Sequence, residues 1–84
     1  MKHPITIFGR KNCPSCDNAQ LLCLVRGYNV SYQDVEDPVA HAEMTRRNPN
    51  AQTVPQIFIG DHHIGGYEDL LNTPELQILK MMSE

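Results

Sequence analysis

The order of strand-like and helix-like segments along the 84 residues is the feature that most limits the number of possible folds. Residues 4–9 form an apolar-rich strand segment, and residues 14–26 form a helix-like run. Residues 29–35 alternate as a second strand does, and residues 38–47 predict a second helix that Asp37 would cap. The chain therefore opens with a βαβα order.

The rest of the chain predicts a hairpin and a final helical segment. Gln56–Ile59 is an apolar-rich third strand, residues 60–61 predict a turn, and residues 62–64 would return as a short fourth strand. Apolar side chains then follow a broad helical face, which residues 73–74 interrupt and can restart. A four-stranded mixed sheet flanked by helices is the simplest architecture that contains these segments.

Length and composition limit the class of protein. We expect one domain over residues 1–84, and 40% hydrophobic against 20% charged residues indicates a globular protein. The longest apolar run, residues 21–25, is far shorter than the ~20 residues that span a bilayer, so we expect no membrane insertion. A net charge of −3 without a basic stripe argues against nucleic-acid binding.

Cys13 and Cys16 form a Cys-x-x-Cys pair between the first strand and the first helix. A strand that ends at Gly9 would deliver Cys13 to the first helical turn, where unpaired N–H groups and the helix dipole favour a thiolate. The two sulfurs can close a small ring and cycle between dithiol and disulfide. Cys13 is therefore the candidate nucleophile.

Two structural interpretations compete with redox chemistry at this pair. A zinc site would need a second half with two more ligands, and the adjacent His62 and His63 do not have that spacing, so we predict no metal site. The two cysteines could also be inert thiols. Cys23 lies in an apolar run, where a thiol behaves as a small buried hydrophobe. The odd cysteine count and an N-terminus without a signal-peptide-like apolar run predict a reducing, cytoplasmic setting.

Three motifs, taken together and in this order, resemble the glutaredoxins, small members of the thioredoxin-fold family. They are Cys13-Pro14-Ser15-Cys16 after the first strand, Thr53-Val54-Pro55 before the third, and Gly65-Gly66-Tyr67-Glu68-Asp69-Leu70 at the start of the last helical segment. The resemblance covers essentially the whole chain and implies an α/β, thioredoxin-like fold of order βαβαββα. It also implies a cis peptide bond before Pro55, which would turn the Val54 backbone toward the active sulfur.

The function that the resemblance implies is glutathione-dependent thiol–disulfide exchange, with protein disulfides and glutathione mixed disulfides reduced through Cys13 and Cys16. Glutathione would be a co-substrate, and no bound cofactor is expected. The implied glutathione-binding residues are Arg10, Thr53, Val54, Pro55, Gly66, Tyr67, Glu68 and Asp69. The implied partners are glutathione and disulfide-containing proteins such as ribonucleotide reductase, and we expect a cytoplasmic monomer.

Each charged end of glutathione would meet a different group. Arg10 would pair with one carboxylate through two parallel hydrogen bonds and add positive potential at the active sulfur. Backbone groups of Gly66 and Tyr67 would bind the other carboxylate, and Glu68 or Asp69 would face the ammonium group.

Two positions depart from the usual glutaredoxin pattern. Ser15 stands where the commonest dithiol motif has tyrosine, so an aromatic wall beside the sulfur is missing, although Tyr67 could replace part of it. Gln52 stands where relatives often have arginine, and its amide can still donate hydrogen bonds.

Three other functions remain open at this stage. A hydrogen donor to ribonucleotide reductase could be reduced by thioredoxin reductase, although the acidic pair at positions 68–69 favours glutathione. A module that holds an iron–sulfur cluster between two monomers would use Cys13 and glutathione, but cluster-binding relatives usually lack a proline at position 14. A protein-interaction adaptor with an incidental Cys-x-x-Cys would not turn over small disulfides.

Overall fold

The computed structural model describes residues 2–84. Its elements are β1 Ile5–Gly9, α1 Pro14–Val25, β2 Val30–Asp34, α2 Pro38–Arg47, β3 Gln56–Ile59, β4 His62–Gly65, α3 Tyr67–Asn72 and α4 Glu75–Ser83. Every predicted element is present, and the last helical segment is divided at residues 73–74 as expected. β4 extends one residue beyond the predicted bound, because Gly65 still pairs with Ile57.

The strands form one mixed sheet in the order β2-β1-β3-β4, which confirms the predicted architecture. β1 lies parallel to β2 and antiparallel to β3, and β3 pairs with β4 as a hairpin. Phe8 lies opposite Gln56 in this register. The chain that leaves β1 is therefore adjacent to the chain that enters β3, which brings residues 10–13 toward residues 53–55.

Helices cover both faces of the sheet, because successive side chains of a strand point to opposite sides. Ile5 and Ile7 of β1 pack in the larger hydrophobic cluster, together with side chains of α1, α3 and α4. Phe8 points to the other face and packs with Phe58 and with Met44 of α2. Among residues 2–84, no helix is long and apolar enough to cross a membrane.

An arginine of α2 closes the smaller cluster. The Arg47 guanidinium lies 5.7 Å from the centre of the Phe8 ring and 5.5 Å from that of Phe58. Its Nε also donates to Glu43 at 3.0 Å. This cation–π arrangement fixes the C-terminal turn of α2 over the sheet.

The N-terminus of α2 forms as the sequence predicts. The Asp37 carboxylate accepts a hydrogen bond of 3.1 Å from Val39 N–H, and Pro38 occupies the first helical position. Pro38 lacks an N–H group, and the first N–H groups of a helix have no intrahelical partner, so its presence there removes no backbone hydrogen bond.

We expect Asp37→Ala to lower the free energy of unfolding by about 1 kcal/mol, because Val39 N–H loses its acceptor. Asp37→Asn keeps an acceptor oxygen in the same place and should lose much less. Urea denaturation of the three proteins gives the comparison. Equal losses for the alanine and asparagine variants would show that the cap contributes nothing to stability.

Candidate active site

A tight connection carries the chain from β1 to α1. Asn12 has a φ of 57°, a left-handed conformation that asparagine tolerates better than most residues. Cys13 follows in an extended conformation as the N-cap of α1, and Pro14 begins the helix. The turn therefore delivers Cys13 to the helix N-terminus, as the sequence predicts.

Cys13 and Cys16 form a disulfide with their Cα atoms 5.2 Å apart. Cys16 N–H donates to Cys13 Sγ at 3.2 Å, so the sulfur caps the helix in place of the usual oxygen. Cys13 is half-buried, whereas Cys16 has no exposed surface. Of the two sulfurs, only that of Cys13 can be reached by another molecule.

The loop that precedes β3 faces this disulfide. The Val54–Pro55 peptide bond is cis, as the resemblance implies, and the Val54 carbonyl oxygen lies 3.9 Å from Cys13 Sγ. Thr53 is exposed, Val54 is half-buried and Pro55 is buried. The Thr53–Pro55 loop thus presents a backbone acceptor beside the accessible sulfur.

Tyr32 of β2 and Cys16 of α1 both pack closely against Gly9. A Cβ atom at Gly9 would lie 2.8 Å from the Tyr32 ring and 3.1 Å from Cys16 Cβ, so only glycine lets these groups approach. The Tyr32 hydroxyl donates to the Arg10 carbonyl at 3.5 Å. Burial raises the pKa of Tyr32, and the carboxylates of Asp17 and Asp34 raise it further. The phenol therefore stays protonated near neutral pH and acts as a donor.

Cys23, the third thiol, lies in the larger core cluster and has no exposed surface. Burial raises its pKa to about 11, against a smaller opposite effect of Arg26. A protonated, inaccessible thiol is a poor nucleophile. The prediction that Cys23 is a buried small hydrophobe is confirmed.

Arg10 and Lys11 lie in the β1–α1 connection, and both side chains are exposed. Their position places two cationic side chains within three residues of Cys13, at the accessible end of the disulfide. Arg10 forms no ion pair with another side chain of residues 2–84. It is therefore available to an anionic ligand.

The start of α3 carries the remaining predicted residues. Gly66 N–H donates to the Asp69 carboxylate at 2.9 Å, so this carboxylate caps the helix. Glu68 is exposed, and Tyr67 is half-buried against the larger core cluster. At this helix start, Glu68 is thus the carboxylate that faces solvent without a capping role.

A shallow cavity of about 490 Å³ joins the Thr53–Pro55 loop to the start of α3. Thr53, Pro55, Gly66 and Asp69 line it, so the structure brings these four predicted residues together. Arg10, Tyr67 and Glu68 lie outside its lining. Among residues 2–84, no three His, Cys, Asp or Glu side chains are grouped so that they could hold a metal ion.

A larger cavity of about 640 Å³ lies at the other end of the sheet, beside the β3–β4 turn. Gly60 and His62 are among its lining residues, and it contains no cysteine. It is remote from the disulfide, because Cys13 follows the C-terminal end of β1 while Ile59 pairs with Ile5 at the N-terminal end.

Sequence reasoning did not identify Tyr32 or Gln56 as neighbours of the site. Tyr32 is one residue of an ordinary alternating strand, and nothing local indicates that it packs on Gly9. Gln56 did carry a signal, since it is the one polar residue of the otherwise apolar strand β3. Its partners lie elsewhere in the sequence and could not be read from it.

Comparisons with known proteins agree with this geometry. The sequence model of the glutaredoxin family matches residues 5–64. Glutaredoxin 3 of Escherichia coli K12 is 33% identical over 66 residues, which cover 79% of this chain and 80% of that protein.

Two solved structures share the fold. A Brucella melitensis glutaredoxin superposes with a TM-score of 0.70 at 33% identity, covering 96% of this chain and 91% of that chain. A buckwheat glutaredoxin–glutathione complex gives a TM-score of 0.76 at 21% identity, covering 96% of this chain and 77% of that chain.

The predicted thioredoxin-like fold and the redox-active Cys-x-x-Cys disulfide are therefore both present, on a chain whose sequence matches glutaredoxins over most of its length. The chain belongs to the glutaredoxin family and is a thiol–disulfide oxidoreductase.

Proposed function

We propose that this protein uses glutathione to reduce glutathione mixed disulfides and protein disulfides, with Cys13 as the nucleophile and Cys16 as the resolving thiol. The observation that carries the proposal is the position of Cys13 Sγ. It is the accessible sulfur, it accepts a helix N–H at 3.2 Å, and it lies 3.9 Å from the Val54 carbonyl.

Activation of Cys13 needs more than the helix dipole. A free cysteine with a pKa of ~8.5 is only a few per cent thiolate at pH 7. The dipole supplies about 0.3–1 kcal/mol, which is less than one pKa unit at ~1.36 kcal/mol per unit. The direct hydrogen bond from Cys16 N–H, which favours the charged sulfur, and the nearby Arg10 and Lys11 supply the additional stabilisation.

The reaction proceeds by two exchange routes. In both, Cys13 thiolate attacks a sulfur of the substrate disulfide, forms a mixed disulfide and releases the other sulfur as a thiol. With a glutathione adduct on Cys13, a second glutathione thiolate attacks that adduct and leaves as glutathione disulfide. With a protein disulfide, Cys16 thiolate attacks Cys13 Sγ in the Cys13–protein bond, forms the Cys13–Cys16 disulfide and releases the reduced protein. One glutathione thiolate then opens the Cys13–Cys16 disulfide to give a Cys13–glutathione adduct, and a second removes that adduct as glutathione disulfide, which restores both thiols.

Glutathione fits the groups around the sulfur. It is a peptide with two carboxylates and one ammonium, so it needs backbone partners and charges of both signs. The Val54 backbone, the exposed Arg10 guanidinium and the exposed Glu68 carboxylate would supply these partners, and the cavity that joins Thr53 to Gly66 would hold part of the peptide. The buckwheat glutaredoxin of the same fold is described as a glutathione complex, which supports the same ligand here.

The proposal also covers the cellular compartment, the oligomeric state and the protein substrates. Regeneration by glutathione needs a reducing compartment, which favours the cytoplasm. We propose that residues 1–84 act as one monomeric domain with no bound cofactor and that the protein substrates carry accessible disulfides. Ribonucleotide reductase is one such substrate class. A thioredoxin-reductase-linked cycle is the competing route.

We expect iodoacetamide at pH 6 to label Cys13 of the reduced protein well before the other two cysteines. Cys16 is buried, and Cys23, with a pKa of about 11, remains a protonated thiol until far higher pH. Peptide mass spectrometry over a time course measures the three rates, and labelling in urea provides the control in which all three react. Equal rates in the folded protein would remove Cys13 as the activated nucleophile.

We expect Cys16→Ser to keep glutathione-coupled reduction of a glutathione–hydroxyethyl mixed disulfide, because free glutathione completes that cycle, and to lose most reduction of an intramolecular protein disulfide. Cys13→Ser should lose both activities. Cys23→Ser, at a residue outside the site, is the matched control. Parallel coupling to thioredoxin reductase tests the competing route. The assignment fails if Cys13→Ser keeps deglutathionylation and Cys16→Ser abolishes it.

We expect Arg10→Glu to raise the KM for glutathione roughly fivefold with a smaller change in kcat, because an attractive surface charge becomes repulsive. Lys80→Glu in α4 makes the same charge change near the end of the sheet remote from Cys13 and serves as the control. Salt screens interactions between exposed charges, so steady-state kinetics at low and high salt show whether the change in KM is electrostatic. A fall in kcat alone would show that Arg10 acts only in thiolate activation and not in glutathione binding.

A further inference from the structure

Gln56, the first residue of β3, is a buried polar side chain, with 8% of its surface exposed. Its Nε2 donates to the Thr53 carbonyl at 2.9 Å, and its Oε1 lies 2.8 Å from His63 Nε2. Asn48 Nδ2, at the end of α2, also donates to Oε1 at 3.4 Å. The buried amide thus links β4 and α2 to the Thr53–Pro55 loop.

The donors and acceptors of the hydrogen bonds that join His63, Gln56 and Thr53 follow from the chemistry of these groups. The Thr53 carbonyl can only accept, so the amide nitrogen of Gln56 must face it and the amide oxygen must face His63. Nε2 of His63 must then carry a hydrogen and donate it. The histidine is the donor at the outer end of a chain that runs from His63 through Gln56 to Thr53.

Packing holds the His63 ring in place. It stacks on the Phe58 ring with centroids 4.8 Å apart and an interplanar angle of 27°. Phe58 is itself buried in the smaller core cluster and lies opposite His63 in the β3–β4 pairing. The donor therefore has a fixed position, although the imidazole is exposed to solvent on its outer side.

The Thr53 end of this hydrogen-bond chain lies beside the active site. Thr53 precedes Val54, whose carbonyl lies 3.9 Å from Cys13 Sγ. A hydrogen bond to the Thr53 carbonyl restrains the peptide unit next to the one that faces the sulfur. If His63 stops donating, Gln56 keeps only the longer bond from Asn48 at its oxygen, and its hold on the loop weakens.

We propose that His63 is a positioning residue: through Gln56 it fixes the Thr53–Pro55 loop in the orientation that binds the disulfide substrate of Cys13. The proposal rests on the proposed function, because it assumes that the substrate contacts this loop. His63 donates its hydrogen to Gln56, so its role is in substrate binding rather than in proton transfer at the sulfur.

Three variants test the proposal with matched changes. His63→Phe keeps the ring stacked on Phe58 and removes the donor. His63→Gln restores an N–H donor near the position of Nε2. His62→Phe alters the neighbouring histidine, which pairs with Glu84 at 3.0 Å at the remote end of the sheet.

We expect His63→Phe to raise the KM for a glutathione–hydroxyethyl mixed disulfide about three- to tenfold, with little change in kcat. His63→Gln should recover most of the loss, and His62→Phe should match the unaltered protein. The rate of Cys13 alkylation by iodoacetamide should be the same in all four proteins, because this small reagent does not bind the loop. Equal KM values for His63→Phe and His62→Phe would overturn the proposal, and so would a parallel fall in alkylation rate.

A measurement that does not depend on turnover separates this proposal from the proposed function. Long-range ¹H–¹⁵N NMR of the neutral histidines should show His63 as the Nε2–H tautomer, and the Gln56 side-chain amide should be protected from solvent exchange in the unaltered protein and exposed in His63→Phe. A Nδ1–H tautomer would overturn the hydrogen-bond chain itself. If the NMR result holds and no glutathione-linked turnover occurs, the proposed function fails, and with it the substrate-binding role of His63, while the hydrogen-bond chain stands.

Discussion

The hydrogen bond from Cys16 N–H to Cys13 Sγ is the interaction on which the chemistry of this protein depends. One sulfur atom both caps α1 and forms the accessible end of the disulfide. The first N–H groups of a helix have no intrahelical partner, so they prefer an acceptor that carries negative charge. The same bond that begins the helix therefore lowers the cost of a thiolate. The bond is present in the disulfide form described here.

Sheet pairing brings a second, distant segment to this sulfur. Phe8 at the end of β1 is opposite Gln56 at the start of β3, so the loop that leaves one strand meets the loop that enters the other. Cys13 and Val54 are 41 residues apart in the chain and in contact in the fold. The close packing of Tyr32 and Cys16 on Gly9 adds a third segment at this place. The exposure of the two cysteines differs, because Cys13 is half-buried and Cys16 is buried.

The smaller hydrophobic cluster beside α2 combines packing with a polar chain. Phe58 supplies a ring on which His63 stacks, while Gln56 lies buried two residues away on the same face of β3. A buried amide without partners costs about 1–3 kcal/mol, so its three hydrogen-bonding neighbours are needed for stability as well as for placement of the loop. A polar group in this position makes the geometry near the active site depend on residues of β4 and α2.

Local chemistry determined what could be predicted from the sequence: the helix starts at Cys13-Pro14 and Asp37-Pro38, the bounds of β3, and the division of the last helical segment. These features depend on neighbouring residues, and the order of three motifs was sufficient to indicate the family. The tertiary structure alone decided which segments meet. The Tyr32 ring lies on Gly9, and the amide of Gln56 joins His63 to Thr53. Both contacts depend on strand order, register and face, which non-local pairing of the whole sheet sets and which no single stretch of sequence contains.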